Sequence, residues 1–307
     1  MNPSDFSLQP RHWVLVVFLA SALFVHFRGK VRFPLKRALD FTIVLAPVNA
    51  LMYLFSRVPA KAYLDLRDFP ELAPLQAHWR TIRDEALRLE DDGRIRASAA
   101  YDDIGFNSFF RTGWKRFHLT WYGRDMASAG ALCPQTVALL ESIPSIKAAM
   151  FASLPPGATL VRHRDPYAGS LRYHLGLATP NDPGCFIEVD GQRYHWKDGE
   201  PVIFDETFIH HAANQTLRQR IVLFCDVERP LYTPPLRWFN RCFAAHVLSA
   251  ASSQNEAADR PVGAINRLFR HAYRLRLQAK ALKTRHRGVY YAGKWLLILG
   301  LFWLLFV

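Results

Sequence analysis

Apolar residues follow three different rhythms along this chain, and each predicts a different kind of element. Between residues 146 and 230 they come in short runs cut by Gly, Pro, Asn and Asp. The runs 147–154, 171–178, 185–189, 192–196, 201–204 and 220–227 read as strands. Asp190-Gly191, between "CFIEV" and "QRYHW", marks a two-residue hairpin turn, a place where positive φ is required. Short strands joined by tight turns, with no βαβ unit, predict a mainly-β double-stranded β-helix (a jelly roll) over residues 148–248.

The second rhythm is helical. In residues 71–93, Leu75, Trp79, Ile82, Ala86 and Leu89 recur at three- and four-residue spacing and stop at Gly93. Residues 133–146 predict a short helix broken by Pro144. Between them, "GFNSFFRTGWKRFHLTWYG" (105–123) alternates aromatic and polar residues like a strand or hairpin. Residues 56–147 are thus expected to be a helical, aromatic-rich extension of the central domain. After it, "SAASSQNEAADRPV" (249–262) reads as a linker. A helix follows in which Leu268, Ala272, Leu275, Ala279 and Leu282 form one stripe among Arg267, Arg270, Arg274, Arg276, Lys280 and Lys283. Such a helix either lies on anionic lipid or packs on the protein with a solvated basic face.

The third rhythm is unbroken apolarity. Residues 12–27 lie between Arg11 and Arg28 and are short for a span, which needs roughly 17–25 residues. Ala20-Ser21-Ala22 resembles a cleavage site, but the apolar run continues to Phe27, which favours an uncleaved anchor. "RGKVRFPLKR" follows, and its positive charge places that loop in the cytoplasm. Residues 41–55 contain Pro47 and Asn49 and predict an interfacial, re-entrant or buried helix. Residues 289–307 predict a C-terminal membrane segment with Lys294 snorkelling near its start. The expected organisation is an N-terminal anchor and interfacial segment (1–55), the central parts 56–147 and 148–248, and a linker, basic helix and membrane segment (249–307).

Charge supports this picture. The 307-residue chain carries +13 at pH 7. Residues 260–307 hold ten Lys or Arg and no Asp or Glu, so +10 sits there beside an apolar tail. That placement favours an anionic membrane surface over nucleic acid. The four cysteines, Cys133, Cys185, Cys225 and Cys242, show no CxxC spacing and suit a reducing compartment.

The chemistry is in "LVRHRDPYAG" and "DETFIHHAAN". His163 and Asp165 are two residues apart, so strand alternation sends both to one side. A histidine from a later strand completes two imidazoles and one carboxylate, the facial set that leaves half of a ferrous ion's coordination sphere open. His210 and His211 are adjacent, so only one points inward, and spacing does not say which. Asp165 can alternatively accept hydrogen bonds behind the metal or pair with Arg164 or Arg172. Arg220 opens the apolar run "IVLFCDV" and needs an anion, either a dicarboxylate cosubstrate or an internal partner such as Asp226 or Glu228.

The ordered motifs "FASLPPGATLVRHRDPYAGSLRYHLGLATP", "GCFIEVDGQRYHWKDGEPVIFDETFIHHAANQT" and "RQRIVLFCDVERP" resemble the aspartyl/asparaginyl β-hydroxylase family over about residues 148–231. "VHFRGKVR", "APVNALMYLFSRVPAKAYLDLRDFPELAPL" and "FFRTGWKRFHLTWYG" closely resemble its bacterial lipid A 2-hydroxylases. The resemblance implies a jelly-roll dioxygenase using Fe(II), 2-oxoglutarate and O2. It implies His163 and His210 as metal ligands, Arg172 and His174 near the oxoglutarate carboxylate that meets the metal, and Arg220 for the distal carboxylate. His174 can alternatively be a packed strand residue. Animal members have glycine where this chain has Asp165, which by spacing restores a third ligand. No side chain need act as nucleophile or general base.

The expected function is therefore hydroxylation of C2 on a secondary acyl chain of lipid A, at a bacterial inner membrane with the catalytic domain facing the cytoplasm. The expected partners are lipid A or its acylated precursor and an anionic membrane surface. Lys115, Arg116 and the aromatics around them are candidates for head-group and acyl contacts, or simply core. Two rival expectations are β-hydroxylation of Asp or Asn in a protein, and a non-enzymatic metal-binding membrane module.

Overall fold

A computed structural model describes residues 10–34, 44–98 and 102–306. Residues 35–37 of the basic stretch, 41–43 of the second apolar stretch and Val307 lie outside the described residues.

The helices are α1 (Pro10–Phe27), α2 (Ala46–Leu54), α3 (Ala73–Ala77), α4 (Trp79–Asp91), α5 (Ala127–Leu132), α6 (Pro134–Glu141), α7 (Pro234–Phe243), α8 (Ala264–Arg285) and α9 (Arg287–Phe306). The strands are β1 (Tyr63–Leu64), β2 (Lys115–Trp121), β3 (Arg124–Asp125), β4 (Ile146–Leu154), β5 (Thr159–His163), β6 (Ser170–Ala178), β7 (Cys185–Val189), β8 (Gln192–His195), β9 (Pro201–Phe204), β10 (His210–Asn214) and β11 (Arg220–Glu228). They form a seven-stranded sheet, β1-β9-β6-β11-β4-β2-β3, and a four-stranded sheet, β5-β10-β7-β8. Every pairing between named strands is antiparallel. This is the expected jelly-roll sandwich.

Period-two alternation explains why the central strands read as nearly continuous apolar runs. Leu171, Tyr173, Leu175 and Leu177 of β6, with Ile221, Leu223, Cys225 and Val227 of β11, join Leu75, Ile82, Ala86 and Leu89 of the covering helices in one core. On the other face, Met150, Val222 and Phe224 of the large sheet meet Leu160, Ile187 and Ala212 of the small sheet. Both faces of β4, β6 and β11 are therefore buried, and each fully buried Leu or Phe contributes about 1.5–3 kcal/mol. The residues of β6 and β11 that break the apolar pattern, Arg172, His174, Arg220 and Asp226, alternate with the helix-facing set and are themselves buried.

Several local expectations differ from what forms. The helix expected over 71–93 is interrupted at His78, whose backbone leaves helical geometry, so α3 and α4 are separate. In 105–123 only the second half is strand. Asp103 accepts from the Phe106 N–H and starts helical turns that end at Gly113, at φ 89°. Residues 249–262 are packed rather than free. Asn255 accepts from the His118 N–H and donates to the His118 carbonyl, taking the place of a neighbouring strand at β2, and Asp259 accepts from the Ser128 N–H.

The terminal helices form where expected, but among the described residues no helix is long and apolar enough to cross a membrane. The expected transmembrane segments are corrected accordingly. At 18 residues α1 is about 27 Å long, and the first half of α9 contains Arg287 and Lys294. The α8 stripe is not packed on the protein: Leu268 and Leu275 are exposed, while the helix buries Asn266 and Tyr273, which lie outside the stripe.

Candidate metal centre

Two strands of the small sheet carry the histidines. β5 and β10 pair antiparallel with His163 directly opposite His210, and the ring centroids lie 4.2 Å apart. Each ring is oriented by its own chain. The His163 Nδ1–H donates to the Val161 carbonyl at 2.8 Å, and the His210 Nδ1–H donates to the Phe208 carbonyl at 2.9 Å. A carbonyl only accepts, so both Nδ1 atoms carry the proton and both Nε2 lone pairs are free for a metal. Burial, then the neighbouring His163, pushes the His210 imidazole down to about 3, so it is neutral. The adjacent His211 is only partly buried and faces Glu188 at 3.7 Å.

Asp165 lies just past the end of β5. Its N–H donates to the Glu206 carbonyl at 2.9 Å, tying the loop after β5 to the loop before β10. Its Oδ1 is 3.7 Å from His163 Nε2. The ligand atoms of His163, Asp165 and His210 all lie within 4.8 Å of one another. Burial would raise the Asp165 carboxyl, but the Arg172 guanidinium beside it outweighs that and holds it low.

The cavity beside these three is also lined by Arg172, His174 and Arg220, with Phe106, Phe109, Trp114 and Phe224 as apolar wall. All six residues singled out from the sequence thus meet in one place, but they do not behave alike. Arg220 is 2% exposed, lies 4.3 Å over the Trp196 ring, and has no ion pair to a carboxylate among the described residues. Its Nε has no hydrogen-bond partner, and burial lowers its pKa to about 10. Asp226 and Glu228, its alternative partners from sequence, are engaged by Arg172 and by Lys147 and Arg241. His174 accepts from the Trp196 Nε1–H at 3.3 Å on Nδ1. Burial, then Arg220, holds it well below the usual histidine range, so its proton is on Nε2, an atom without a partner.

Arg172 is occupied. Its Nη2 donates to Asp165 Oδ2 and its Nε–H to Asp226 Oδ1, both at 2.8 Å, and Glu206 Oε2 lies 2.7 Å from the same Nε. The Arg172 guanidinium, which the resemblance places near the cosubstrate carboxylate, is engaged by three acids of the protein itself while lining the same cavity.

The family model for aspartyl/asparaginyl beta-hydroxylase matches residues 76–230. The chain belongs to that family. An ornithine lipid ester-linked acyl 2-hydroxylase from Rhizobium tropici is 34% identical over 201 residues, 63% of this chain and 70% of that protein. The human aspartyl/asparaginyl beta-hydroxylase is 30% identical over 168 residues, 53% of this chain, and the match spans 22% of the human protein. A Pseudomonas putida prolyl-4-hydroxylase overlays 50% of this chain and 86% of its own at 19% identity, with a TM-score of 0.33.

For a member of this hydroxylase family the donor set fits a divalent first-row cation. Two imidazoles and one carboxylate converge, and the acids gathered there, Asp165, Glu206 and Asp226, outnumber the single Arg172 guanidinium beside them. Some of the supporting residues were not evident from the sequence. Asn49 of α2 donates to the Pro166 carbonyl at 2.8 Å and accepts from the Ala168 N–H at 2.9 Å. Arg28 binds Asp205 at 2.6 Å and Thr207 at 2.9 Å, just before His210. The available signals were a polar residue inside the apolar run 46–54 and the acidic pair Asp205-Glu206 beside the histidine motif.

Proposed function

We propose that this protein is an Fe(II)- and 2-oxoglutarate-dependent dioxygenase that hydroxylates C2 of a lipid acyl chain, with the secondary acyl chain of lipid A as substrate. The observation that carries the reading is a buried Arg220, without an ion pair among the described residues, in the same cavity as His163, Asp165 and His210. A buried guanidinium without an acid is costly unless a ligand supplies one, and a dicarboxylate reaching from the metal does so.

Iron(II) with oxoglutarate and O2 supplies the oxidant, oxoglutarate leaving as succinate and CO2. The protein's own groups do the rest. Arg220 holds the distal carboxylate, and the His174 Nε2–H donates to the proximal one. Phe106, Phe109 and Trp114 keep water from the cavity and offer an apolar wall for an acyl methylene.

The lipid assignment draws on the acyl-hydroxylase relative and on the outer surfaces of the molecule. α1 exposes Trp13, Val17, Leu19, Leu23 and Phe27, and α8 exposes Leu268 and Leu275 among its arginines. These surfaces suit an anionic bilayer, with the bacterial inner membrane's cytoplasmic face as the site of action. The Rhizobium tropici relative favours a second substrate, the ester-linked acyl chain of an ornithine lipid.

Mass spectrometry of lipid A and of ornithine lipids from cells with and without the gene tests the reading. A gain of one oxygen on lipid A, lost in His163→Ala and His210→Ala, is the expected result. The gain on ornithine lipid instead selects the second reading, and no gain on either lipid overturns both.

A further inference from the structure

The acid cluster behind Asp165 is larger than a single ion pair requires. Arg172 and Asp226 are cross-strand partners on β6 and β11, so the sheet register itself brings them together. The guanidinium is stacked 3.7 Å over the Phe224 ring, which fixes its plane. Asp226 gives Oδ1 to Arg172, and its Oδ2 accepts from the Tyr122 hydroxyl at 2.8 Å. Tyr122 is held in left-handed backbone, φ 44°, at the turn between β2 and β3. A continuous chain of hydrogen bonds, buried as far as Arg172, thus runs from that turn through Asp226 and Arg172 to the half-buried Asp165.

At the end of the chain the two oxygens of Asp165 are distinguished. Oδ2 is held by Arg172, while Oδ1 is the atom near His163 Nε2. A carboxylate with one oxygen so held offers only the other to a metal. We propose that Arg172 is a positioning residue, aligned by Asp226 and Tyr122, that keeps Asp165 a one-oxygen ligand. The coordination position a two-oxygen aspartate would take then stays open for the cosubstrate. This rests on the metal reading above, and it assigns Arg172 to the metal ligand rather than to the oxoglutarate carboxylate.

Mn(II) binding to the purified full-length protein tests it, read by electron paramagnetic resonance, with oxoglutarate binding measured separately at saturating Mn(II). Asp226→Asn keeps the shape and removes the charge that aligns Arg172. It is expected to weaken Mn(II) about tenfold and to leave oxoglutarate affinity within about twofold. Tyr122→Phe removes one hydroxyl and should weaken Mn(II) in the same direction by a smaller factor, so it carries the test if Asp226→Asn does not fold. Because the residues act through Asp165, Asp165→Ala/Asp226→Asn should bind Mn(II) no more weakly than Asp165→Ala. Unchanged Mn(II) affinity in the folded variants overturns the proposal, as does a loss confined to oxoglutarate. Failure of the wild-type protein to bind Mn(II) overturns the metal reading itself and this inference with it.

Discussion

Asn49 and Ala168 are 119 positions apart, yet the Asn49 carboxamide accepts the Ala168 N–H at 2.9 Å while donating to the Pro166 carbonyl at 2.8 Å. A helix from an apolar stretch near the N-terminus therefore fixes the loop that follows Asp165. Asn49 is 2% exposed, so removing its side chain strands the buried Ala168 N–H and the part-buried Pro166 carbonyl. Asn49→Ala is expected to lower unfolding stability by about 2–4 kcal/mol in chemical denaturation. The loop should loosen too, seen as faster amide exchange at Ala168. Wild-type stability and exchange in this variant would mean that α2 does not brace the loop.

Arg220 makes a sharper prediction, because it separates cosubstrate binding from metal binding. Arg220→Lys keeps a cation but loses the planar two-pronged contact, and Arg220→Ala loses both. Oxoglutarate KM should rise roughly 30-fold or more in Arg220→Ala, with Mn(II) affinity unchanged. The variant should also stop preferring oxoglutarate over a 2-oxo acid without a distal carboxylate. A retained preference would place the distal carboxylate elsewhere.

The strands that hold the centre were the least legible part of the fold. β4, β6, β7, β9 and β11 stand out because burial demands Val, Ile, Leu and Phe in them. β5 and β10 read "TLVRH" and "HHAAN" and are invisible to any apolar pattern. Their residues are set by what they present to the cavity; β10 is held between β5 and β7, while β5 lies at the edge of the sheet with β10 as its neighbour. The convergence of His163, Asp165 and His210 was nevertheless legible, because His-x-Asp and a distant histidine are a chemical pattern rather than a packing pattern. The role of Arg172 was not legible: its partners Glu206 and Asp226 come from two other segments, and only the closed sandwich brings them together.

His118 gives the molecule a pH dependence away from the centre. Burial, then Arg116, lowers it from 6.5 to about 4 despite Asp103 nearby. The unfolded chain therefore binds a proton that the folded one refuses between those values. The stability it contributes is complete above pH 6.5 and is lost as pH falls towards 4, by up to roughly 3 kcal/mol. His118→Gln should flatten the slope of unfolding free energy against pH in that window. An unchanged slope would show that His118 titrates normally in the folded protein.

The basic helix α8 provides the test of lipid docking. Leu268 and Leu275 face solvent beside a run of arginines and lysines, an arrangement that gains little in water and much at an anionic interface. Each nearby Lys or Arg contributes about 1 kcal/mol of attraction to such a surface. The purified protein should therefore sediment with vesicles containing anionic lipid far better than with zwitterionic ones, and less so as salt is raised. Arg274→Glu with Lys280→Glu, both exposed in α8, should weaken that binding roughly tenfold or more. The pair is remote in sequence from His163, Asp165 and His210, so Mn(II) affinity should be untouched. Equal binding to neutral and anionic vesicles, or no effect of the charge reversal, would leave α8 as a solvated helix and remove it from the docking surface.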